Sequence, residues 1–340
     1  MSLVLLAESV LHTVDPFAFE IAPGVGPRWY GLSYLAGFVV GWLILRAVAR
    51  RGLVPMRVEQ VGDLVTAVVI GVLVGGRVGH VLFYDRPLLW TFDGAFPWWG
   101  LLAIHRGGMS SHGGVIGVAI VCWWFARRHG WRITDVSDPV VLAAGPGLGF
   151  GRLANLVNGE LWGKPLPEAM QASPPWWSIK YPEEVLDPSF ANAELIENLR
   201  PLVDPARPFP QSLVDAAYAG RPGVSEALLP LLTAHHPSQL YQAITDGLII
   251  PLVLALIWLK PRPSGILSGS FFIAYGLLRM TTEQFREPDF GVFTLGPITL
   301  PMLLSLAMIA IGIFMLVIWR HAPRVGGLAA RGAGAVGTVQ

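Results

Sequence analysis

The sequence predicts an all-α membrane protein, a helical bundle of about seven spans. Hydrophobic residues make up 53% of its 340 residues and charged residues only 14%, whereas about 25% of the residues are charged in a typical soluble domain. Several apolar runs approach the roughly 20 residues that a membrane-spanning helix needs. The net charge is +1, so the composition gives no argument for a nucleic acid partner.

Seven stretches are predicted to span the membrane, and a polar segment separates the fourth from the fifth. The spans are residues 29–49, 64–84, 113–126, 140–159, 243–259, 266–285 and 300–319. The third is short and needs the residues from Ser110 onward to reach across the bilayer. We therefore expect four spans within residues 1–159, an extramembrane segment over 160–235, three spans within 236–320 and a disordered tail over 321–340.

The positions of Lys and Arg predict the orientation of the bundle. Of the 24 basic residues, twelve lie in connections that share one side, nine lie on the other side, and three lie inside spans. Five of the nine fall in the 160–235 segment, and long segments cross membranes largely regardless of charge. We therefore expect the N-terminus and the 160–235 segment outside the cytoplasm and the C-terminus inside it.

The first residues bear on whether the chain carries a signal peptide, and the cysteine content bears on disulfides and metal sites. Residues 1–11 lack a basic region ahead of their apolar run, so a cleaved signal peptide is not expected. Cys122 is the only cysteine and lies in an apolar run. An internal disulfide and a cysteine-based metal cluster are therefore excluded.

Polar side chains interrupt the fourth predicted span. Arg152, Asn155 and Asn158 are three residues apart and share one helical face, and Gly159 and Glu160 follow directly. A charge near the bilayer centre costs at least about 2.5 kcal/mol on insertion scales. Snorkelling of the arginine to the headgroups accounts for the charge but not for the two amides. The stretch is therefore predicted to be part of a functional site.

Three further residues have structural interpretations that compete with functional ones. Tyr30 opens the first span, where an aromatic belt at the membrane surface is an equally good interpretation. Arg77 lies inside the second span. His112 starts the third span between glycines; a lone histidine there is more often structural, yet the glycines leave room for a substrate. Imidazole is also the natural base near neutral pH.

The sixth predicted span has a charged face. Arg279 and Glu283 are i, i+4 neighbours and Arg286 continues the face, although a purely structural ion pair is the alternative. Three arginines inside spans, with Glu283 as the only obvious carboxylate partner, leave positive charge to be neutralised. A lipid phosphate is the cheapest counter-ion, and arginine binds it bidentately. The sequence therefore predicts a pocket that is open to the bilayer and binds an anionic phospholipid headgroup.

Six blocks of the sequence together resemble the bacterial prolipoprotein diacylglyceryl transferase family. They are residues 30–31, 75–79, 107–114, 151–163, 236–241 and 279–289. The signature Gly-Arg-x-x-Asn-x-x-Asn-Gly-Glu in the fourth block is very specific, whereas any other block alone is weak. Lys164 stands where the family usually has arginine, and Ser111 and Leu156 stand where it commonly has phenylalanine. The two changes from phenylalanine alter pocket walls more than chemistry. Pro297 stands where related sequences often have a glutamine, at the start of the last span, so we assign no role to the start of that span.

The resemblance implies an enzyme of the bacterial inner membrane. It would move the diacylglyceryl group of phosphatidylglycerol to the lipobox cysteine thiol of a preprolipoprotein, with a thioether and glycerol 1-phosphate as the products. Its partners would be phosphatidylglycerol, signal peptides with a lipobox cysteine, and membrane lipids. The chemistry implies no cofactor and no metal.

The implied reaction needs a thiolate and a site for the departing phosphate. Arg152 and Arg279 are the candidates for the phosphate, and His112 is the candidate base. Glu283 either positions Arg279 or is an alternative base. Substrate-binding residues are expected at Tyr30, Arg77, Asn155, Asn158, Gly159, Glu160 and Arg286, with a structural role for Arg77 as an equal alternative.

Two other functional classes account for part of the pattern. A transporter or channel for an anionic solute would use the same arginines as a pathway, but the polar blocks cluster in the outer half or middle of the spans, which favours an enzyme that faces outward. A lipid-binding scaffold accounts for the arginines and leaves His112 without a role.

Overall fold

The computed structural model describes residues 9–19, 21, 26–94, 96–103, 107–287, 294–295 and 298–329. These residues are mainly helical. The α-helices are α1 (Trp29–Arg50), α2 (Val58–Phe83), α3 (Ser111–His129), α4 (Ile133–Val157), α5 (Glu168–Gln171), α6 (Ala193–Ile196), α7 (Gln211–Tyr218), α8 (Val224–Leu228), α9 (Ser238–Ile244), α10 (Ile250–Ile257), α11 (Ile266–Glu283) and α12 (Leu300–Trp319).

Short elements connect these helices. A π-helical turn, Thr245–Ile249, joins α9 to α10. Short 3-10 helices occupy Arg86–Leu89, Gly100–Leu102, Pro182–Leu186, Glu197–Leu202 and Leu229–Leu231. The strands are β1 (Val10–Leu11), β2 (Ile179–Lys180), β3 (Arg262–Pro263), β4 (Thr294–Leu295), β5 (Ile298–Thr299) and β6 (Arg324–Val325). They pair as β1 with β2 in parallel, and as β3 with β6 and β4 with β5 in antiparallel orientation.

Five helices among the described residues are long and apolar enough to cross a membrane. They are Trp29–Arg50, Val58–Phe83, Ile133–Val157, Ser238–Ile257 and Leu300–Trp319. The two other predicted spans correspond to α3 and α11, of 19 and 18 residues, whose charged residues lower their hydropathy. The prediction of a mainly helical protein with several candidate spans is confirmed. The count of seven and the orientation stay predictions.

The chain divides into two compact units. The first unit contains Met1–Leu35, Leu148–Leu248 and Gly276–Leu306, and the second contains Ala36–Gly147, Ile249–Tyr275 and Ala307–Gln340. The predicted division into consecutive segments follows membrane topology and stays a prediction.

The 160–235 segment of the first unit has a hydrophobic core of its own. Leu213, Ala217, Val224 and Leu228 are fully buried there. Strand β1 pairs with β2 of this segment, Val10 opposite Ile179. The segment predicted to lie outside the membrane is thus built from short helices and one parallel strand pair, which the sequence analysis did not predict.

Glycines bring α2 and α3 of the second unit into backbone contact. A Cβ atom on Gly113 would lie 2.2 Å from the carbonyl oxygen of Gly75 and 2.8 Å from the Cα of Gly79, and one on Gly117 would lie 2.0 Å from the carbonyl oxygen of Gly71. Small residues at four-residue spacing allow membrane helices to approach this closely. These glycines therefore act in helix packing.

A buried carboxylate in the second unit caps α11. Asp138 is 3% exposed, and its side chain accepts hydrogen bonds from the backbone N–H groups of Gly265 and Ser268 at 2.7 and 2.9 Å. The hydroxyl of Ser268 donates a third at 2.7 Å. Because the first N–H groups of a helix lack intrahelical partners, this carboxylate satisfies donors that would otherwise be orphaned.

Part of the predicted disordered tail is ordered. Strand β6 pairs with β3, and the N–H of Leu328 donates to the carbonyl of Trp258 at 2.7 Å. Residues up to 329 of the predicted tail are therefore bonded to earlier parts of the chain. Composition alone does not reveal pairing partners that lie 61 to 70 residues earlier. Residues 330–340 lie outside the described residues, as do Pro297 and the Asp289 end of the last family block.

Candidate active site

Helix α4 ends in a turn that requires a glycine. Gly159 has φ +63°; its N–H donates to the carbonyl of Leu156 at 3.0 Å, and the N–H of Glu160 donates to that of Asn155 at 2.8 Å. This pair of bonds is the Schellman motif, in which a left-handed residue satisfies the last carbonyls of a helix. The turn folds Glu160 back toward the side chains of the helix.

Four predicted residues meet at this turn, and we call Tyr30, Asn155, Asn158 and Glu160 the amide cluster. The Asn155 amide donates to Glu160 Oε2 at 3.4 Å and to the hydroxyl of Tyr30 at 3.5 Å. The Asn158 amide donates to Glu160 Oε1 at 3.4 Å. These are long hydrogen bonds, so the cluster is assembled with weak internal contacts that a ligand can replace.

Arg152 has a carboxylate partner that the sequence analysis missed. Its Nε atom lies 3.2 Å from Oδ2 of Asp246, which lies in the π-helical turn. The interpretation that Glu283 is the only obvious carboxylate partner is therefore wrong, and the excess of positive charge is smaller than predicted. One signal was available: an acidic residue inside a predicted span marks a functional site by default. Its pairing with Arg152 depends on which helices face each other.

Arg279 and Glu283 lie on the predicted charged face of α11, whereas Arg286 lies three residues beyond the end of the helix. We call these three residues the charged cluster. Arg279 Nη2 lies 2.8 Å from Glu283 Oε2, and Arg286 Nη1 lies 4.0 Å from the same oxygen. All three side chains are buried. Glu283 thus contacts the arginine on each side of it.

The backbone after Glu160 is clamped by two other family blocks. The amide of Gln239 donates to the carbonyl of Glu160 at 2.7 Å, and the N–H of Lys164 donates to the carbonyl of Phe285 at 2.8 Å. A Cβ atom on Gly163 would lie 2.0 Å from the carbonyl oxygen of His236. The absence of a side chain at Gly163 is therefore what lets the two backbones meet.

His236 lies at this clamp and has a shifted pKa. Its Nδ1 is 3.3 Å from the hydroxyl of Tyr241, and its ring stacks near that of Trp177. Partial burial, together with the neighbouring His235, holds the pKa of His236 below its ordinary value. Burial likewise raises the pKa of Tyr181, which stacks on Trp162 at 4.6 Å between ring centroids.

Arg77 and His112 belong to the second unit. The guanidinium of Arg77 donates to the carbonyls of Leu101, Gly107 and Gly108 at 2.6 to 3.1 Å and also to that of Gly100. These bonds favour the structural alternative for Arg77, since four of its five N–H donors hold backbone. His112 is partly buried in the first turn of α3, where Ser110 is the N-cap.

Among the described residues, no group of three or more His, Cys, Asp or Glu side chains is arranged to hold a metal ion. The first unit holds the amide cluster, the Arg152–Asp246 pair and the charged cluster. Such an arrangement can bind an anion with guanidinium groups and orient polar oxygens with amides.

Comparisons of the sequence with known proteins show the family of the chain. The family model described as prolipoprotein diacylglyceryl transferase matches residues 16–318. The chain is 36% identical to the phosphatidylglycerol–prolipoprotein diacylglyceryl transferase of Bdellovibrio bacteriovorus, over 92% of this chain and 95% of that protein. It is 37% identical to the proteins of the same name from Xanthomonas oryzae pv. oryzae, over 92% and 94%, and from Serratia proteamaculans, over 91% and 94%. The chain belongs to the prolipoprotein diacylglyceryl transferase family.

Proposed function

We propose that this protein transfers the diacylglyceryl group of phosphatidylglycerol to the cysteine thiol of a prolipoprotein, the first step of lipoprotein maturation. Its relatives are named for this transferase activity. The observation that carries the proposal is the amide cluster at the end of α4, with Arg152 on the same helix. An anionic lipid headgroup is the ligand that these side chains suit best.

The reaction is a displacement at carbon. The thiolate sulfur attacks the glyceryl carbon that carries the phosphate ester, a C–S bond forms and the C–O bond breaks. The bonding electrons leave with glycerol 1-phosphate, and the thiol proton passes to a base. Because negative charge concentrates on the departing phosphate, nearby guanidinium groups lower the barrier. Arg152 and Arg279 are proposed for this task.

The remaining residues are proposed to orient the substrates. Asn155 and Asn158 would exchange their long bonds to Glu160 for bonds to the headgroup, while Tyr30 and Glu160 shape the mouth of the pocket and Gly159 sets the turn. Arg286 adds positive charge beside Glu283.

Glu283 is better suited to position Arg279 than to act as a base. Its carboxylate already contacts Arg279 at 2.8 Å, so the oxygen that would accept a proton is engaged with the guanidinium. His112 therefore remains the proposed base, because imidazole is the side chain that suits general-base catalysis near neutral pH.

We also propose seven spans in the bacterial inner membrane, with the N-terminus periplasmic and the C-terminus cytoplasmic. The five candidate spans together with α3 and α11 support this number. Basic residues in the last turns of α1 and α3 support the orientation, since such residues favour the cytoplasmic side. Residues 160–235 would then be periplasmic, with spans one to four in 1–159 and spans five to seven in 236–320.

The test of the function is a transfer assay with the purified protein in detergent. Phosphatidylglycerol and a peptide with a lipobox cysteine are added, and mass spectrometry follows the gain of one diacylglyceryl group by the peptide. A peptide with serine in place of cysteine must stay unmodified. Transport needs two compartments, so activity in detergent excludes the transporter, and a scaffold would leave the peptide unchanged.

Arg152→Lys is the better protein control than Arg152→Ala. Removing the cation would leave Asp246 as a buried charge without its salt-bridge partner, which destabilises a protein strongly. Lysine keeps the charge but loses the planar, bidentate donor geometry. We expect a folded protein with greatly reduced transfer; full activity of Arg152→Lys would remove Arg152 from the proposed phosphate site.

A further inference from the structure

The salt bridge between Arg152 and Asp246 is asymmetric in its exposure. The Asp246 side chain is 2% exposed and the Arg152 side chain 17%. A ligand can therefore reach the guanidinium, whereas the carboxylate faces almost only protein. Because the contact uses Nε, which lies in the guanidinium plane, it also constrains how that plane is oriented.

A pair of glycines sets the backbone distance at this salt bridge. A Cβ atom on Gly149 would lie 2.6 Å from the Cα of Gly247, and one on Gly247 would lie 2.7 Å from the Cα of Gly149. Gly149 precedes Arg152 by three residues and so shares its helical face, and Gly247 follows Asp246 directly. The short aspartate side chain can reach Arg152 because the two backbones are in contact.

The π-helical turn also bears on the position of Asp246. Such turns are rare and occur frequently at functional sites, where they redirect side chains within a helix. Within the turn, the hydroxyl of Thr245 donates to Asp246 Oδ1 at 3.3 Å, so the oxygen that does not face Arg152 is also held. The carboxylate is thereby fixed at both oxygens.

Asp246 also lies within electrostatic range of Arg279. The two arginines that we assign to the lipid phosphate therefore act on the same buried carboxylate. Without that carboxylate, two like charges would share the site with less compensation, and their repulsion would move them apart.

We propose that Asp246 is a positioning residue for the phosphate of phosphatidylglycerol. It orients Arg152, and its negative charge reduces the repulsion between Arg152 and Arg279. The inference rests on the proposed function, because it takes a lipid phosphate as the ligand of both arginines. Asp246 acts through Arg152, so its loss should affect the lipid substrate and spare the peptide substrate.

The test compares Asp246→Asn and Asp246→Glu with the wild-type protein in detergent micelles. The mole fraction of phosphatidylglycerol and the concentration of lipobox peptide are varied separately, and thermal unfolding is measured for every variant. Asp246→Asn removes the charge at constant size, whereas Asp246→Glu keeps the charge on a side chain that is one methylene longer. Asp138→Asn is the matched control, because Asp138 is equally buried and bonds to the start of α11.

We expect Asp246→Asn to lose about 10²-fold in kcat/KM for phosphatidylglycerol, the cost of misplacing a binding group by about 1 Å, with an unchanged KM for the peptide. Asp246→Glu should fold and show a smaller loss, because it keeps the negative charge beside Arg152 while its extra methylene shifts the carboxylate. Asp138→Asn should unfold at a lower temperature with unchanged lipid kinetics.

Unchanged lipid kinetics in both Asp246 variants, with only a lower unfolding temperature, would reduce Asp246 to a structural ion pair and overturn the inference. If Asp246→Asn does not fold, Asp246→Glu decides by the same criterion.

Binding of phosphatidylglycerol, measured by native mass spectrometry, separates this inference from the proposed function. A wild-type protein that binds the lipid but transfers nothing contradicts the transferase function alone. In that case, weaker binding by Asp246→Asn than by Asp138→Asn supports the positioning role, and equal binding overturns it. A wild-type protein that does not bind the lipid contradicts both.

Discussion

At the scale of single residues, the site is built from buried or partly buried charges that contact partners of opposite charge. Arg152 is paired with Asp246 and Arg279 with Glu283. Burying such pairs costs desolvation free energy, and replacing them with apolar residues is often neutral or stabilising. Their presence here therefore calls for a role beyond stability, which phosphate binding would provide.

The proposal that His112 is the base can be tested by comparing substitutions of two histidines on α3. His112→Gln should lower kcat by about 10²- to 10⁴-fold, the range of general acid–base catalysis, in a protein that remains folded. His129→Gln is the control, because His129 lies in the last turn of α3 and bonds to the carbonyl of Phe125 at 2.9 Å. If His112→Gln is as active as His129→Gln, another group or the positive field of the arginines activates the thiol.

His236 predicts a pH dependence of stability. Its pKa in the folded protein is below the ordinary 6.5, so the unfolded chain binds more protons between the two values and stability falls as the pH drops through that window. Above pH 6.5 the contribution is fully present. The unfolding temperature of the wild-type protein should therefore fall below about pH 6.5, and that of His236→Gln should fall less.

The matched control for this measurement is His321→Gln, since His321 is exposed after α12. It should follow the wild-type pH dependence. Identical pH dependence in His236→Gln and the wild-type protein would contradict a stabilising neutral His236.

At the scale of secondary-structure elements, glycine positions decide which helices touch. The α2–α3 contact uses Gly71, Gly75, Gly79, Gly113 and Gly117. Without a hydrophobic driving force between helices in lipid, such close packing is a principal source of association. The sequence showed these glycines but not which helices they join.

The packing of α2 on α3 predicts opposite outcomes for two neighbouring glycines. Gly117→Ala places a methyl group 2.0 Å from the carbonyl oxygen of Gly71. Because the backbone of α2 cannot move away without disturbing the helix, we expect the free energy of unfolding to fall by about 1–3 kcal/mol, as is typical of overpacking. Gly114→Ala meets only ordinary contacts at 3.9 Å from Val72 and should be neutral. Unfolding in detergent measures both; equal stability of the two variants would contradict this helix contact.

At the scale of the whole molecule, the proposed membrane topology predicts which side of the membrane each exposed loop faces. Cys122 is the only cysteine of the chain and is buried, so single introduced cysteines report their own accessibility. Ser189 and Lys260 are both exposed and lie on opposite sides in the proposed topology. Ser189→Cys should react with a membrane-impermeant maleimide in intact spheroplasts, and Lys260→Cys only after permeabilisation. Labelling of Lys260→Cys in intact spheroplasts would contradict the proposed orientation and support the opposite one.

The sequence by itself determined the features that depend on neighbours along the chain. The seven apolar stretches correspond to α1, α2, α3, α4, the continuous α9–α10 segment, α11 and α12. The common face of Arg152, Asn155 and Asn158 and the Arg279–Glu283 pair follow from helical spacing, and the Schellman turn follows from a glycine at the end of the helix.

Only the tertiary structure decided which distant groups meet. Asp246 lies 94 residues from Arg152, and the carbonyls bound by Arg77 lie 23 to 31 residues away from it. The core of the 160–235 segment is likewise made by short elements whose periodicity is too brief to read. Contacts of this kind depend on the approach of separate backbones, which one-dimensional spacing does not encode.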